Sequence, residues 1–287
     1  MSWIISSLLM FVCSIIFYLS VKKLQMLGVD KRIYTIANYA FPTVVFFVLA
    51  VINKLPLMYP VVLLVSFIVF RAVLNYIGTI AGYKSMEGAP NAGYSLIIQK
   101  SYAVYTLFAA VILYGSEISW YKFTLSGLIL VCAALVAYQR GKKMNRINYE
   151  WVIYAVVAMV CFGTTSLSGK YFAQQGIGTI PQLFWVCIAT LGLTGVDIVR
   201  VQTKRQKMDA KILGLLGLLG ISVSGFYFFK LSAEIAAPNL GYVGTINAAS
   251  NAVYTVLVAL LFGDHLSWKK FAAVGGMTVG IALLLFS

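Results

Sequence analysis

Ten runs of mostly apolar residues take up nearly the whole of this chain, at 2–20, 33–52, 60–82, 91–114, 121–138, 151–172, 180–199, 212–230, 239–262 and 268–286. A helix rises about 1.5 Å per residue, so about 20 residues cross the ~30 Å hydrocarbon core of a bilayer. The runs are too long for transmembrane strands and lack period-two alternation. The pattern predicts an all-α integral membrane protein of ten transmembrane helices, with the lipid bilayer as its main partner. Only 10% of the residues are charged, against roughly 25% in soluble domains, and the connectors are too short to form a separate soluble domain. Pro42 falls inside the second run, whereas Pro60, Pro90 and Pro181 fall at span starts, where a missing N–H costs little. Residues 1–20 lack a basic n-region and a small-residue cleavage site, so no cleavable signal peptide is expected.

Lysine and arginine set the orientation. The connectors after spans 1, 3, 5, 7 and 9 carry sixteen of the 22 cations, from Lys22 and Lys23 through the run at 200–211 to Lys269 and Lys270. The opposite edges carry Lys54, Lys122 and Lys230, and the remaining three, Arg71, Lys100 and Lys170, lie inside spans. This asymmetry predicts a multi-pass protein of the cell membrane with both termini outside the cytoplasm. The net charge of +14 is spread over short connectors rather than gathered on one domain, so it reads as topological anchoring and no nucleic-acid partner is expected. Cys13, Cys132, Cys161 and Cys187 sit in apolar runs without a CxxC pair. They read as free thiols, with no metal or cofactor implied.

An offset of 148 residues links the two halves. Trp3 matches Trp151, Cys13 matches Cys161, Lys22 matches Lys170 and Gly28 matches Gly176. Pro90-Asn91 matches Pro238-Asn239, and Gly115, Ser119, Trp120, Lys122, Phe123 and Gly127 match Gly263, Ser267, Trp268, Lys270, Phe271 and Gly275. The Ala-Val-Tyr-Thr strings at 103–106 and 252–255 are displaced by one residue, and spans 2 and 3 do not align with spans 7 and 8. The chain divides into a five-helix repeat at 1–138, a basic cytoplasmic linker at 139–150 and a second five-helix repeat at 151–287. Five is odd, so the second repeat enters the membrane from the opposite side. Inverted repeats mark secondary transporters, which hold their substrate near the midplane at the repeat interface.

Each half ends in a small-residue helix, a Gly with an acid nearby, Ser-Trp, and a Gly-bearing last helix: "LYGSEISWYKFTLSGLILVCAAL" and "LFGDHLSWKKFAAVGGMTVGIAL". In these features the chain resembles the EamA-like branch of the drug/metabolite transporter superfamily. The resemblance implies a ten-helix basket, a central cavity lined mainly by spans 3, 4, 8 and 9, and transport of small metabolites. Many members carry a proline midway along spans 4 and 9; here those stretches read Ser101-Tyr102-Ala103-Val104 and Ala249-Ser250-Asn251-Ala252, which puts the kink and the cavity shape in question.

Lys100 and Arg71 each lie about ten residues from a span end, roughly 15 Å deep. A cation there costs on the order of 3 kcal/mol on insertion scales. Asp197 lies near a span end and Glu87 and Glu234 fall in connectors, so no carboxylate is expected at their depth. Two readings stand: the missing counter-charge is an anionic ligand, gripped bidentately by Arg71 and as a point charge by Lys100, or both cations meet backbone carbonyls and water. Arg71, Asn75 and Thr79 recur at four-residue spacing; Asn247, Asn251 and Tyr254 share a face, as do Gln99, Tyr102 and Thr106. Lys100, Arg71, Asn75, Gln99, Tyr102, Asn247, Asn251 and Tyr254 are therefore the candidate substrate-binding residues, though interhelical hydrogen bonding is the commoner use of such stripes. Glu117 and Asp264 fall at connectors and read as capping groups. The glycines at 214–220 and the "GMTVG" at 276–280 read as close helix packing or, for the last span, as a dimer contact, so the chain is a monomer or homodimer.

These readings favour a secondary transporter of small polar metabolites bearing an anionic group: amino acids, organic acids or sugar phosphates. An exporter of cationic compounds would need an acid in the first span, and 2–20 has none. An intramembrane enzyme is disfavoured by the single histidine, His265, in a connector. A membrane scaffold without transport would have no need of midplane cations. The lack of a midplane acid favours uniport or exchange over proton symport.

Overall fold

The computed structural model describes residues 2–89, 92–137, 150–199, 209–262 and 268–286. Among these residues there are helices and no strand, in the order α1 (Trp3–Met26), α2 (Lys31–Ile52), α3 (Val61–Gly88), α4 (Ala92–Lys100), α5 (Tyr102–Tyr114), α6 (Trp120–Ala137), α7 (Glu150–Gln174), α8 (Thr179–Val199), α9 (Ala210–Ala236), α10 (Leu240–Phe262) and α11 (Trp268–Phe286). Five stretches are long and apolar enough to cross a membrane: Trp3–Met26, Arg32–Ile52, Leu64–Met86, Glu150–Gln174 and Ala210–Ala236. The linker up to residue 149, Pro90-Asn91, the basic run at 200–208 and the Gly263–Ser267 part of the second end motif lie outside the described residues.

The helices end where the backbone gives a reason, not where the apolar run stops. The sequence places the ends of spans 1, 3 and 8 at residues 20, 82 and 230; α1, α3 and α9 each continue for six more residues. α1 and α7 finish alike. Gly28 and Gly176 take left-handed conformations, φ 70° and 86°, which a residue without Cβ adopts at no steric cost. Beyond them Val29 N–H donates to Leu24 O and Ile177 N–H to Phe172 O, both at 3.1 Å. These bonds, with an apolar contact between the same residues, are a Schellman cap. α3 and α9 stop before Pro90 and Pro238. Ala89 (φ −73°, ψ 145°) and Ala237 (φ −70°, ψ 145°) are extended, as a residue before proline must usually be. The helix of span 4 is interrupted at Ser101, whose N–H donates back only three residues, to Ile98 O at 3.1 Å.

The tertiary arrangement pairs the halves. α1 packs along α9, and α3 along α7; α2 meets α8, α5 meets α10, and α6 meets α11. Close approach is made by glycine. A Cβ on Gly220 would fall 2.3 Å from Phe41 Cγ, and one on Gly241 would fall 2.3 Å from Leu107 Cβ. Of the last-span glycines, Gly280 would bring a Cβ to 2.8 Å from Ile129 Cγ1, so this glycine is used within the chain, against α6. The outer faces are apolar. On α3, Val62, Val65, Val69, Phe70, Val73 and Ile77 are exposed, while Phe67, Arg71 and Ala72 turn inward. This inversion of the usual amphipathic order suits a helix whose outer solvent is hydrocarbon.

Candidate functional site

A cavity lies between α2, α3, α7, α8 and α9, lined by Tyr39, Arg71, Asn75, Thr165, Leu183, Val186, Cys187, Tyr227, Lys230, Leu231 and Glu234. The cavity volume is about 80 Å³, enough to hold water. The resemblance implied spans 3, 4, 8 and 9 as the wall. This cavity uses spans 3 and 8, with spans 2, 6 and 7 in place of 4 and 9.

Arg71 is 5% exposed. Its Nη1 donates to Gln182 Oε1 at 2.9 Å, and its guanidinium lies 5.5 Å from the centroid of the Phe67 ring. Gln182 is fully buried and is itself fixed, its Nε2 donating to Ile177 O at 2.8 Å and Gly169 O at 3.2 Å. The bare Cα of Gly169 leaves space for the head group: an added Cβ would lie 3.4 Å from Arg71 Nη2. A hydrogen bond to a charged group contributes about 1.5–3 kcal/mol, and a desolvated cation–π contact up to about 2 kcal/mol. Together they match the ~3 kcal/mol insertion cost of a midplane cation. Arg71 can therefore stay buried and charged without an ion pair. Its Nε–H is buried with no hydrogen-bond partner.

The expectation that no carboxylate reaches this depth is overturned. Glu234 is not in a connector but in the last turn of α9, 2% exposed, lining the same cavity as Arg71. Its Oε1 lies 3.5 Å from Lys230 Nζ, four residues earlier on the same helix face. Lys230, placed by the sequence at a span edge, lies inside α9 with its side chain 21% exposed. Its Nζ stands 5.6 Å from the centroid of the Tyr102 ring. Tyr102 is 2% exposed, and its hydroxyl accepts from Asn247 Nδ2 at 2.7 Å. A polar chain thus runs Glu234, Lys230, Tyr102, Asn247, from the cavity to spans 4 and 9.

The sequence candidates divide accordingly. Arg71 and Asn75 line the cavity, and Asn75 Nδ2 donates to Tyr39 OH at 3.4 Å. Tyr102 lies beside the lining residue Lys230, and Asn247 bonds Tyr102. Gln99 is buried between α3 and α4, its Nε2 donating to Ser95 Oγ at 2.8 Å and Gly82 O at 3.3 Å, which is an interhelical role. Tyr254 packs on Tyr18 at 5.5 Å between ring centroids. Lys100 is half-buried at the end of α4 and is not among the residues lining this cavity. The side chain of Asn251 lies outside the described residues. Lys170 Nζ donates to Ala237 O at 3.2 Å, clamping the α9–α10 junction. The sequence reading missed Lys230, Glu234 and Gln182. A signal for the first two existed: no Gly or Pro interrupts residues 230–237, so the helix could carry a Lys-x-x-x-Glu pair inward as far as Pro238.

No protein-family model matches the sequence, and no curated protein matches it. The fold is similar to a solved structure described only as "Crystal structure of protein", with a TM-score of 0.78 and 15% sequence identity over 97% of each chain.

Proposed function

We propose that this chain is a secondary transporter of small polar metabolites bearing an anionic group, held at the cavity between α3 and α9. The observation that carries this reading is Arg71, a buried cation that lines the cavity with no carboxylate within ion-pair distance among the described residues. Architecture supports it. We read the helices as ten membrane spans, α4 and α5 together forming one, in two inverted five-helix repeats at 1–138 and 151–287. Exchanging the halves carries the α1–α9 pairing onto α7–α3, and α2–α8, α5–α10 and α6–α11 onto themselves. The matched caps at Gly28 and Gly176 and the matched stops at Ala89 and Ala237 agree. Charge asymmetry puts both termini outside the cytoplasm of a cell membrane; a reporter fused at Ser287 that is active only inside the cell would reverse this orientation.

The test of function is transport. Purified protein in vesicles should accumulate small carboxylates in counterflow, and Arg71→Lys should lower their affinity about ten- to a hundredfold, the loss of one charge-assisted contact of roughly 1.5–3 kcal/mol. No uptake above that of protein-free vesicles for carboxylates, amino acids or phosphate esters would overturn the reading. Glu234 favours one rival, an exporter of cationic compounds; uptake of tetraphenylphosphonium abolished by Glu234→Gln would establish that instead.

A further inference from the structure

Resting on the anion reading above, we infer that Glu234 sets the charge of the ligand: the cavity takes a monoanion of carboxylate type and discriminates against dianions. The lining holds three charged side chains among the described residues, Arg71, Lys230 and Glu234. Their partners differ. Glu234 lies within ion-pair distance of Lys230, at 3.5 Å, and both project from one face of α9. Arg71 hydrogen-bonds the neutral Gln182 oxygen at 2.9 Å and lies over the Phe67 ring, with Glu234 acting on it from beyond ion-pair distance. Two cations against one carboxylate leave a net positive charge on this lining, and the 3.5 Å pairing of Glu234 with Lys230 leaves the excess on the Arg71 side. One negative charge completes this wall. A second negative charge would lie in a small low-dielectric space beside the Glu234 carboxylate, where like charges repel strongly. The fixed carboxylate thus acts against dianions as well as holding Lys230.

The experiment measures dissociation constants of propionate, malonate and alanine for purified protein at neutral pH. Wild type should bind propionate at least about tenfold more tightly than malonate, and Glu234→Gln, which frees the Lys230 ammonium, should move that ratio about tenfold or more toward malonate. Lys230→Gln provides a second variant: with its partner gone, Glu234 is left to neutralise Arg71, and propionate binding should fall at least about tenfold. Should Glu234→Gln not fold, the wild-type ratio and Lys230→Gln decide. Malonate binding wild type as tightly as propionate, or a ratio unmoved in folded Glu234→Gln, overturns the role of Glu234 alone. Alanine binding more tightly than propionate overturns it too, because the carboxylate would then grip the ligand's ammonium. No binding of any of the three in wild type overturns the anion reading and this inference together.

Discussion

After Ala89 the first copy of the repeated Ala-Pro-Asn segment builds two short helices, α4 and α5, that meet at Ser101; after Ala237 the second builds one helix, α10, of 23 residues. The first copy carries Lys100 at the break, and the second carries Ala248 at the matching place, 3% exposed. Packing accounts for the difference. Residues 241–250 of α10 are all buried, and its glycines bring the backbone against α5. A Cβ on Gly244 would lie 3.1 Å from Ala103 Cα. A cation on that segment would meet neither water nor free carbonyls. Lys100 instead closes a helix, where the last carbonyls lack intrahelical partners and the macrodipole is negative. The proline that the resemblance implies is absent from both copies, yet the first is interrupted all the same. A break needs backbone groups released at one point, and proline is only one way to release them.

The sharpest way to break this contrast is to put the proline in. Ala249→Pro, 148 residues on from Ser101, falls in the continuous buried helix and should cost about 3 kcal/mol or more. Ser101→Pro should cost less, because the backbone bond it removes, 3.1 Å to Ile98 O, is a single one at an existing helix end. Thermal melts of the two purified variants would show it; equal losses would mean that the break at Ser101 is not a tolerant site. Next in size is Gly241→Ala, whose new methyl would lie 2.7 Å from Leu107 Cα, a backbone atom that cannot step aside. Overpacking of this kind costs about 1–3 kcal/mol, whereas Gly127→Ala, with nothing within 4 Å of the new methyl, should leave the melting temperature unchanged or raise it.

Smaller again is Asn247→Leu, which removes the donor 2.7 Å from the buried Tyr102 hydroxyl. It should cost about 1–2 kcal/mol. Loss of melting temperature without loss of anion affinity would assign the pair to packing alone. The smallest effect is expected at Lys100. Because Lys100 does not line the cavity, Lys100→Gln should change propionate affinity by less than about threefold, against ten- to a hundredfold for Arg71→Lys. A loss at Lys100 as large as that at Arg71 would return it to the binding site and extend the site into span 4.

The spans were readable because the signal for them is local. A run of about 20 apolar residues declares itself whatever it packs against; the described parts of these runs are helical, and five stretches are long and apolar enough to cross a membrane. Their ends were less readable. Lys22, Lys84 and Lys230 end apolar runs, but a charge does not end a helix; Gly28 and the prolines at 90 and 238 mark where the backbone leaves it. That six-residue difference at α9 hid the carboxylate. Reading the run to residue 230 left Glu234 in a connector, and the helix carried it to the wall of the cavity that holds Arg71.

The sequence alone determined the all-helical class, the apolar segments, the 148-residue correspondence and the position of Arg71 along its helix. Hydrophobicity, period and spacing are properties of a chain before it folds. Which side chains face one another was decided only by the tertiary structure. Gln182 reaches Arg71 from 111 residues away, and Asn247 reaches Tyr102 from 145; no local pattern encodes such distances. The charge balance of the cavity is of this kind. It depends on α9 lying against α1 and α2 so that Lys230 and Glu234 face the α3 cation. The energy of a buried charge is set by whatever the fold brings within a few ångströms of it.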